Sequence, residues 1–255
     1  MRIRSNSSWM LFPVLIAAAI AVTPCCAGTK DFHQVYPLQR GGSFELQNVN
    51  GPVEVQGWDR DTIEIDAIKV GREKEADLDR VTIEVSARPD DVSVITRYPQ
   101  DEGVEVAVQY RVRVPRGARV EHVGTVNGTL KIASVDRIED LHTVNGNIEV
   151  YEGGGNLHAR TTNGDVHLEL SRILGDKGTS AETTNGSVLL AVPQDTQADL
   201  EARSLNGSFF SELPFAREAS MLPRQTRGKL GKGGAPIRLN TVNGGIQLMI
   251  LRPTV

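Results

Sequence analysis

Three side chains able to bind a metal or pass a proton recur at one spacing. His122, Asp140 and His158 each stand six residues before a glycine: Gly128, Gly146 and Gly164. A His–Asp–His set can grip a divalent ion or form a hydrogen-bonded ladder. If these residues stack on neighbouring strands, the two imidazoles lie about 9–10 Å apart, at two ladder spacings. A single ion with bonds of about 2.0–2.2 Å cannot easily reach all three. The set therefore reads as a ladder, and no metal or cofactor is expected. A second group, Glu149, Asp165 and Glu169, raises glycoside chemistry, which needs carboxylates paired across a scissile bond. Their columns also hold Lys131, His167, Asn147 and Tyr151, the mixture of a solvated face, so no catalytic residue is expected. Gly153-Gly154-Gly155 and the glycine-rich run 228–234 lack the Lys-Ser/Thr ending of a phosphate loop.

The elements that must position these residues announce themselves by repetition. A Thr-x-Asn-Gly signal, with Asn48 or Ser204 at the first place in two copies, occurs seven times. Its Asn-Gly pairs are Asn50-Gly51, Asn127-Gly128, Asn145-Gly146, Asn163-Gly164, Asn185-Gly186, Asn206-Gly207 and Asn243-Gly244. The glycines are 77, 18, 18, 22, 21 and 37 residues apart. A period near 20 with a fixed turn signal marks a repeat architecture. Two places after each Gly stand Val53, Leu130, Ile148, Val166, Val188, Phe209 and Ile246; four places after, only Ser211 breaks an aliphatic column. The residues between are mostly polar, so each repeat is a strand, a corner and a strand with one face inward. Asn-Gly suits a corner that needs positive backbone dihedrals. A meander of hairpins with Asn-Gly turns fits some of this, notably 157–170. It does not explain why Thr recurs three places before the Gly, whereas stacked coils do. The expected fold is all-β: a β-helix-like solenoid of roughly 18–22-residue coils.

The rest of the chain is read around that stack. Residues 1–27 have Arg2 and Arg4, an apolar run and a small-residue Thr23-Pro24-Cys25-Cys26-Ala27 end, the pattern of a secretory signal peptide. About 14 apolar residues are too few to span a bilayer. Cleavage after Ala27 removes both cysteines, unless Cys25 or Cys26 carries a lipid, and leaves no transmembrane segment. It also takes the net charge from −4 to −6. That acidity excludes nucleic acid as a partner, which asks for a basic stripe. Residues 28–255 read as a single domain: a short polar lead-in over 28–39, long-looped antiparallel-looking strands over 40–115, and regular coils over 120–255. Charged residues 72–80 read as a loop or one helical turn. An insertion at 212–235 reads as a flap with a basic tip, and Arg252-Pro253 as a stop that keeps further strands off the open end.

Tyr110-Arg111-Val112-Arg113-Val114-Pro115, the Thr-x-Asn-Gly series and the Gly-rich lead into Ile237 to Gly244 make the chain resemble the bacterial putative-adhesin domains, related to autotransporter-adhesin-like head domains. The resemblance spans almost all of 28–255. It implies a solenoid exported to the periplasm or cell surface. It also implies a non-catalytic role, named for adhesion by analogy, and similar domains accompany envelope-stress systems. It supplies no catalytic residues. The implied partner is an envelope protein or a glycan, with a polysaccharide lyase or hydrolase and an envelope-stress accessory as the competing readings. One outer feature suggests a contact surface. The column three after the Gly turns from Lys131, Glu149 and His167 to Leu189 and Phe210, with Met249 and Leu251 nearby. That patch either lies under the 212–235 insertion or serves a partner or self-association.

Overall fold

The computed structural model describes residues 28–72, 76–100, 103–173, 177–219 and 222–252. The signal-peptide segment 1–27, most of the loop before Gly178 and the stop at Pro253 lie outside them.

The described chain is almost wholly β, in two large mixed sheets. In spatial order the first runs β1 (Gly28–Pro37), β4 (Thr62–Gly71), β7 (Val106–Pro115), β3 (Val53–Trp58), β9 (Leu130–Ala133), β11 (Ile148–Gly155), β13 (Val166–Ile173), β15 (Val188–Val192), β21 (Ile246–Ile250), β17 (Phe209–Ser211). The second runs β18 (Phe215–Glu218), β19 (Gln225–Leu230), β16 (Ala198–Asn206), β20 (Ala235–Asn243), β14 (Thr179–Asn185), β12 (His158–Arg160), β10 (Arg137–His142), β8 (Arg119–Gly124), β2 (Ser43–Gln47), β6 (Asp91–Arg97), β5 (Thr82–Arg88). Among the described residues one short helix, α1 (Asp77–Arg80), lies at the end of the charged stretch after β4.

The strands of successive repeats pair in parallel: β9 with β11, β11 with β13, β8 with β10 and β10 with β12. Hairpins would pair them antiparallel. The arrangement is therefore solenoid-like, and the repeat period becomes a stack. Alternation does the rest. Ile148 and Val150 from one sheet and Ile138 and Leu141 from the other are completely buried in one continuous core. Each such side chain contributes about 1.5–3 kcal/mol by leaving water.

Four expectations need correction. The polar lead-in 28–39 is mostly strand: β1 pairs antiparallel with β4 along its whole length and forms the edge of the first sheet. Its alternation was hidden because only Phe32 and Tyr36 turn inward, and both faces are otherwise wet. Region 40–115 is mixed rather than antiparallel. β2 lies parallel between β6 and β8, and β3 lies parallel between β7 and β9. The corner at Asn50-Gly51 is thus the first rung of the stack, bridged directly to Asn127, and the chain between them folds over that end.

The stack does not follow chain order at its far end. β20 and β21 slot between β14 and β16 and between β15 and β17, so the Asn243 rung separates Asn185 from Asn206. The last coil is interior and Arg252 closes no open edge. The insertion at 212–235 is what makes this crossing. It folds as a hairpin, β18 and β19, that lengthens the second sheet antiparallel to β16. It is not a flap over the apolar patch on the first sheet. Its Phe215 meets Phe209 edge-on, ring centroids 5.9 Å apart, at the end of the core.

Candidate functional site

The corner residues form three columns, each with its own chemistry. In the glycine column a Cβ built on Gly146 would lie 2.0 Å from the Gly128 carbonyl oxygen. The same holds for Gly128 over Gly51, Gly164 over Gly146, Gly186 over Gly164, Gly244 over Gly186 and Gly207 over Gly244, at 1.9–2.1 Å. Glycine is required because backbone stacks on backbone with no room for a methyl. The expected dihedral role of Asn is corrected here. None of the seven column asparagines has a positive φ; among the described residues only Ser134, Glu152 and Arg224 do so without being glycine.

The recurring Thr now has a physical reason. Thr143 Oγ1 donates to the Gly128 carbonyl at 3.0 Å, Thr161 to Gly146 at 2.9 Å, Thr183 to Gly164 and Thr241 to Gly186 at 2.8 Å. Ser204 does the same to Gly244, and Asn48 Nδ2 reaches Gly51 and Val108 carbonyls. Each buried hydroxyl satisfies a carbonyl of the neighbouring rung, which a buried acceptor requires. On the surface side, Asn127 Nδ2 donates to Asn50 Oδ1, Asn145 to Asn127, Asn163 to Asn145 and Asn185 to Asn163, all at 2.8 Å. Asn243 donates to Asn185 at 2.7 Å and Asn206 to Asn243 at 2.8 Å. The seven amides make one exposed chain along the molecule.

The outer face of the first sheet carries alternating charge. Across successive strands stand His33, Asp66, Arg111, Glu54, Lys131, Glu149 and His167, followed by Leu189, Gln247 and Phe210. Opposite charges directly across a strand pair stabilise the sheet. The apolar patch lies where this alternation stops. Phe210 is 55% exposed, while Leu189, Met249 and Leu251 are partly covered. Gln247 stands between Leu189 and Phe210, because the last coil is interior, so the patch is divided.

The three carboxylates weighed for catalysis are each engaged. Glu149 accepts from the Tyr151 hydroxyl at 3.3 Å, Glu169 pairs with His167 at 3.1 Å, and Asp165 accepts the Ser187 backbone N–H at 2.7 Å. On the second sheet the column reads Glu45, His122, Asp140, His158, Ser180, Arg238 and Glu201. His122 Nδ1 bonds Asp140 at 2.6 Å, but His158 turns to Ser180 instead. The Asp140 hydrogen bond holds His122 above the usual imidazole range, and the same bond holds Asp140 below the usual carboxylate range.

Sequence reasoning missed a further grouping because His33 lay in the supposed lead-in. His33, Glu64 and Asp66 bring potential ligand atoms within 4.8 Å of one another. Arg113 already donates to Glu64 at 2.9 Å and lies 3.7 Å from Asp66, so a cation of the chain itself balances the carboxylates. Nearby, Lys69 is buried and donates to the Leu78 and Val81 carbonyls, fastening α1 to β4; desolvation lowers its pKa. Burial pushes the Tyr98 phenol up to about 12, and its hydroxyl bonds the Val106 carbonyl at 3.0 Å.

These features define a repeat-built, two-sheet β protein whose chemistry lies in surface columns. The chain belongs to the Toastrack DUF4097 family, which matches residues 121–249, just over half of its length. Among solved structures it is similar to one from Clostridium sporogenes described as a putative cell adhesion protein: 12% identity, 86% of this chain and 99% of that one covered, TM-score 0.45. It is also similar to a putative adhesin from Bacteroides fragilis: 12% identity, 88% and 99% covered, TM-score 0.34. No curated protein matches. Among the described residues, no helix is long and apolar enough to cross a membrane.

Proposed function

We propose that this chain is an exported, non-catalytic binding protein of the cell envelope, adhesin-like in role, working in the periplasm or at the cell surface. Residues 28–255 act as one β-solenoid domain, with coils of roughly 18–22 residues stacked along its axis. Its partner is an envelope protein or a glycan that lies along the molecule.

The observation that carries this reading is the lateral engagement of the outer columns. Asn amides bond to Asn amides, and Glu149, Asp165 and Glu169 each already hold a donor. Such a surface offers repeated, fixed groups to an extended partner. It is a poor host for the paired free carboxylates that glycoside hydrolysis uses. Fractionating cells that express the full chain, then crosslinking in place, tests the proposal. Recovery outside the cytoplasm with a discrete crosslinked partner is the expected result. Turnover of any member of a panel of acidic and neutral polysaccharides, lost in Glu149→Gln or Glu169→Gln, would overturn it in favour of an enzyme.

A further inference from the structure

Asparagine followed by glycine is the dipeptide most prone to lose its side-chain amide. The glycine backbone nitrogen attacks the asparagine Cγ and ammonia leaves. Water then opens the five-membered imide to aspartate or isoaspartate. A bare glycine makes the attack easy, because nothing on its Cα hinders the approach. All seven corners carry this dipeptide, and the six asparagines from Asn127 onward are all exposed. Neither the sequence nor access to water therefore ranks them.

Position in the stack does. The nucleophile is held in most rungs: the N–H groups of Gly51, Gly128, Gly146, Gly164 and Gly186 donate to the Asn carbonyl of the next rung at 2.8–3.0 Å. An N–H held this way keeps its proton and its place. The electrophile is held too. Asn127, Asn145, Asn163, Asn185 and Asn243 each donate one ladder bond and accept another, so the amide must break two before its Cγ can turn toward the following nitrogen. Asn50 only accepts, but its Gly51 is buried and its N–H engaged. The Gly244 N–H has no acceptor among the described residues, but Asn243 is gripped from both sides.

Asn206 alone lacks both restraints. Each glycine N–H points to the next rung, and beyond Asn206 there is none. The hairpin strand β19 pairs with β16 only as far as Arg203 opposite Gln225, followed by one bond from the Ser204 N–H to the Arg224 carbonyl. Gly207 is exposed, and its N–H has no acceptor among the described residues. The Asn206 amide makes one ladder bond, Nδ2 to Asn243 Oδ1 at 2.8 Å. Its Oδ1 meets only the Arg224 guanidinium, at 3.5 Å.

We infer that Asn206-Gly207 is a self-modifying site, converting to aspartate or isoaspartate while the inner rungs stay intact, and that the conversion loosens the last rung. The new carboxylate has no N–H to give Asn243 Oδ1, so oxygen faces oxygen, and Arg224 stands ready to draw the charge away. Isoaspartate also lengthens the backbone at a corner where Gly207 packs against the Gly244 carbonyl without room for a Cβ.

The test is peptide mapping by mass spectrometry of the purified mature chain, held for days in mildly alkaline and in mildly acidic buffer. The tryptic peptide spanning 204–217 contains Asn206 and no other Asn. It should gain the mass of amide-to-acid conversion at least about tenfold sooner than peptides carrying Asn127, Asn145, Asn163 or Asn185, the margin that one extra hydrogen bond of ordinary strength sets on local opening. Alkaline buffer should speed it, because the attacking nitrogen must lose its proton. The same chain unfolded in urea should convert at all seven corners at comparable rates. Equal conversion across the folded rungs, or selectivity for Asn206 that survives in urea, overturns the inference. Asn206→Asp imitates the product and should be cut by protease within 205–212 sooner than the parent chain, with the inner rungs cut no faster. Digestion identical to that of the parent would overturn the loosening.

Discussion

Thr143 and Gly146 show how little freedom one corner has. The Thr143 hydroxyl donates to the Gly128 carbonyl, and the missing side chain of Gly146 lets that same carbonyl come close. Thr143→Val keeps the shape and leaves a buried acceptor without this donor, so it should cost about 1–3 kcal/mol in urea unfolding. Gly146→Ala sets a methyl 2.0 Å from backbone that cannot step aside, and should cost about 3 kcal/mol or more. A larger loss from Thr143→Val than from Gly146→Ala would refute this account. His122 and Asp140 give the residue scale a pH signature. His122 is raised in the folded chain, so its contribution is full below its ordinary 6.5 and is lost as pH rises through the folded value. Asp140 is lowered, so its contribution is full above its ordinary 3.8 and is lost as pH falls through the folded value. Both are present around pH 5. Asp140→Asn should therefore lower the melting temperature more at pH 5 than at pH 8, with Glu45, His142 and His158 as the other ionisable side chains facing the pair. An equal drop at both pH values would exclude the ion pair as the cause.

At the scale of elements, the last coil holds two others apart. β20 hydrogen-bonds to β14 on one side and β16 on the other, and β21 likewise to β15 and β17. A chain ending at residue 235 should keep the rungs from Asn50 to Asn185 protected from protease and lose protection across β16 to β19. Uniform protection would show that β16 can stack on β14 unaided. This interleaving was not legible in the sequence, for a physical reason. Asn206 and Asn243 occupy the same column and offer the same amide, so the pattern that identifies rungs cannot rank them. Stacking itself was legible because Thr, Asn, Gly and the aliphatic residues recur in phase, and only parallel neighbours make use of all four. What Gly does at the corner was legible only in part. Its close approach to the next backbone depends on three-dimensional spacing, whereas a turn needing positive φ is the commoner reason for Asn-Gly. The edge strand β1 escaped notice because a strand wet on both faces lacks the alternation that reveals buried ones.

Across the whole molecule, the outer face of the first sheet is largely self-neutralised along its length. Alternating charges on the first sheet answer one another from Asp66 to Glu149, and past His167 they give way to Leu189, Gln247 and Phe210. A partner lying along the side meets ladders whose charges are already paired. The placement of residues 236–250 also bears on assembly in time. A polypeptide delivered from its amino end can complete each rung up to Asn185 as it arrives, yet β16 and β17 must wait, because the seat beside them belongs to residues 236–250, which are made later. Completion of the stack is thus gated by the arrival of residues 236–250, and a translation product stopped before them would carry a loose, unseated tail that proteases could single out.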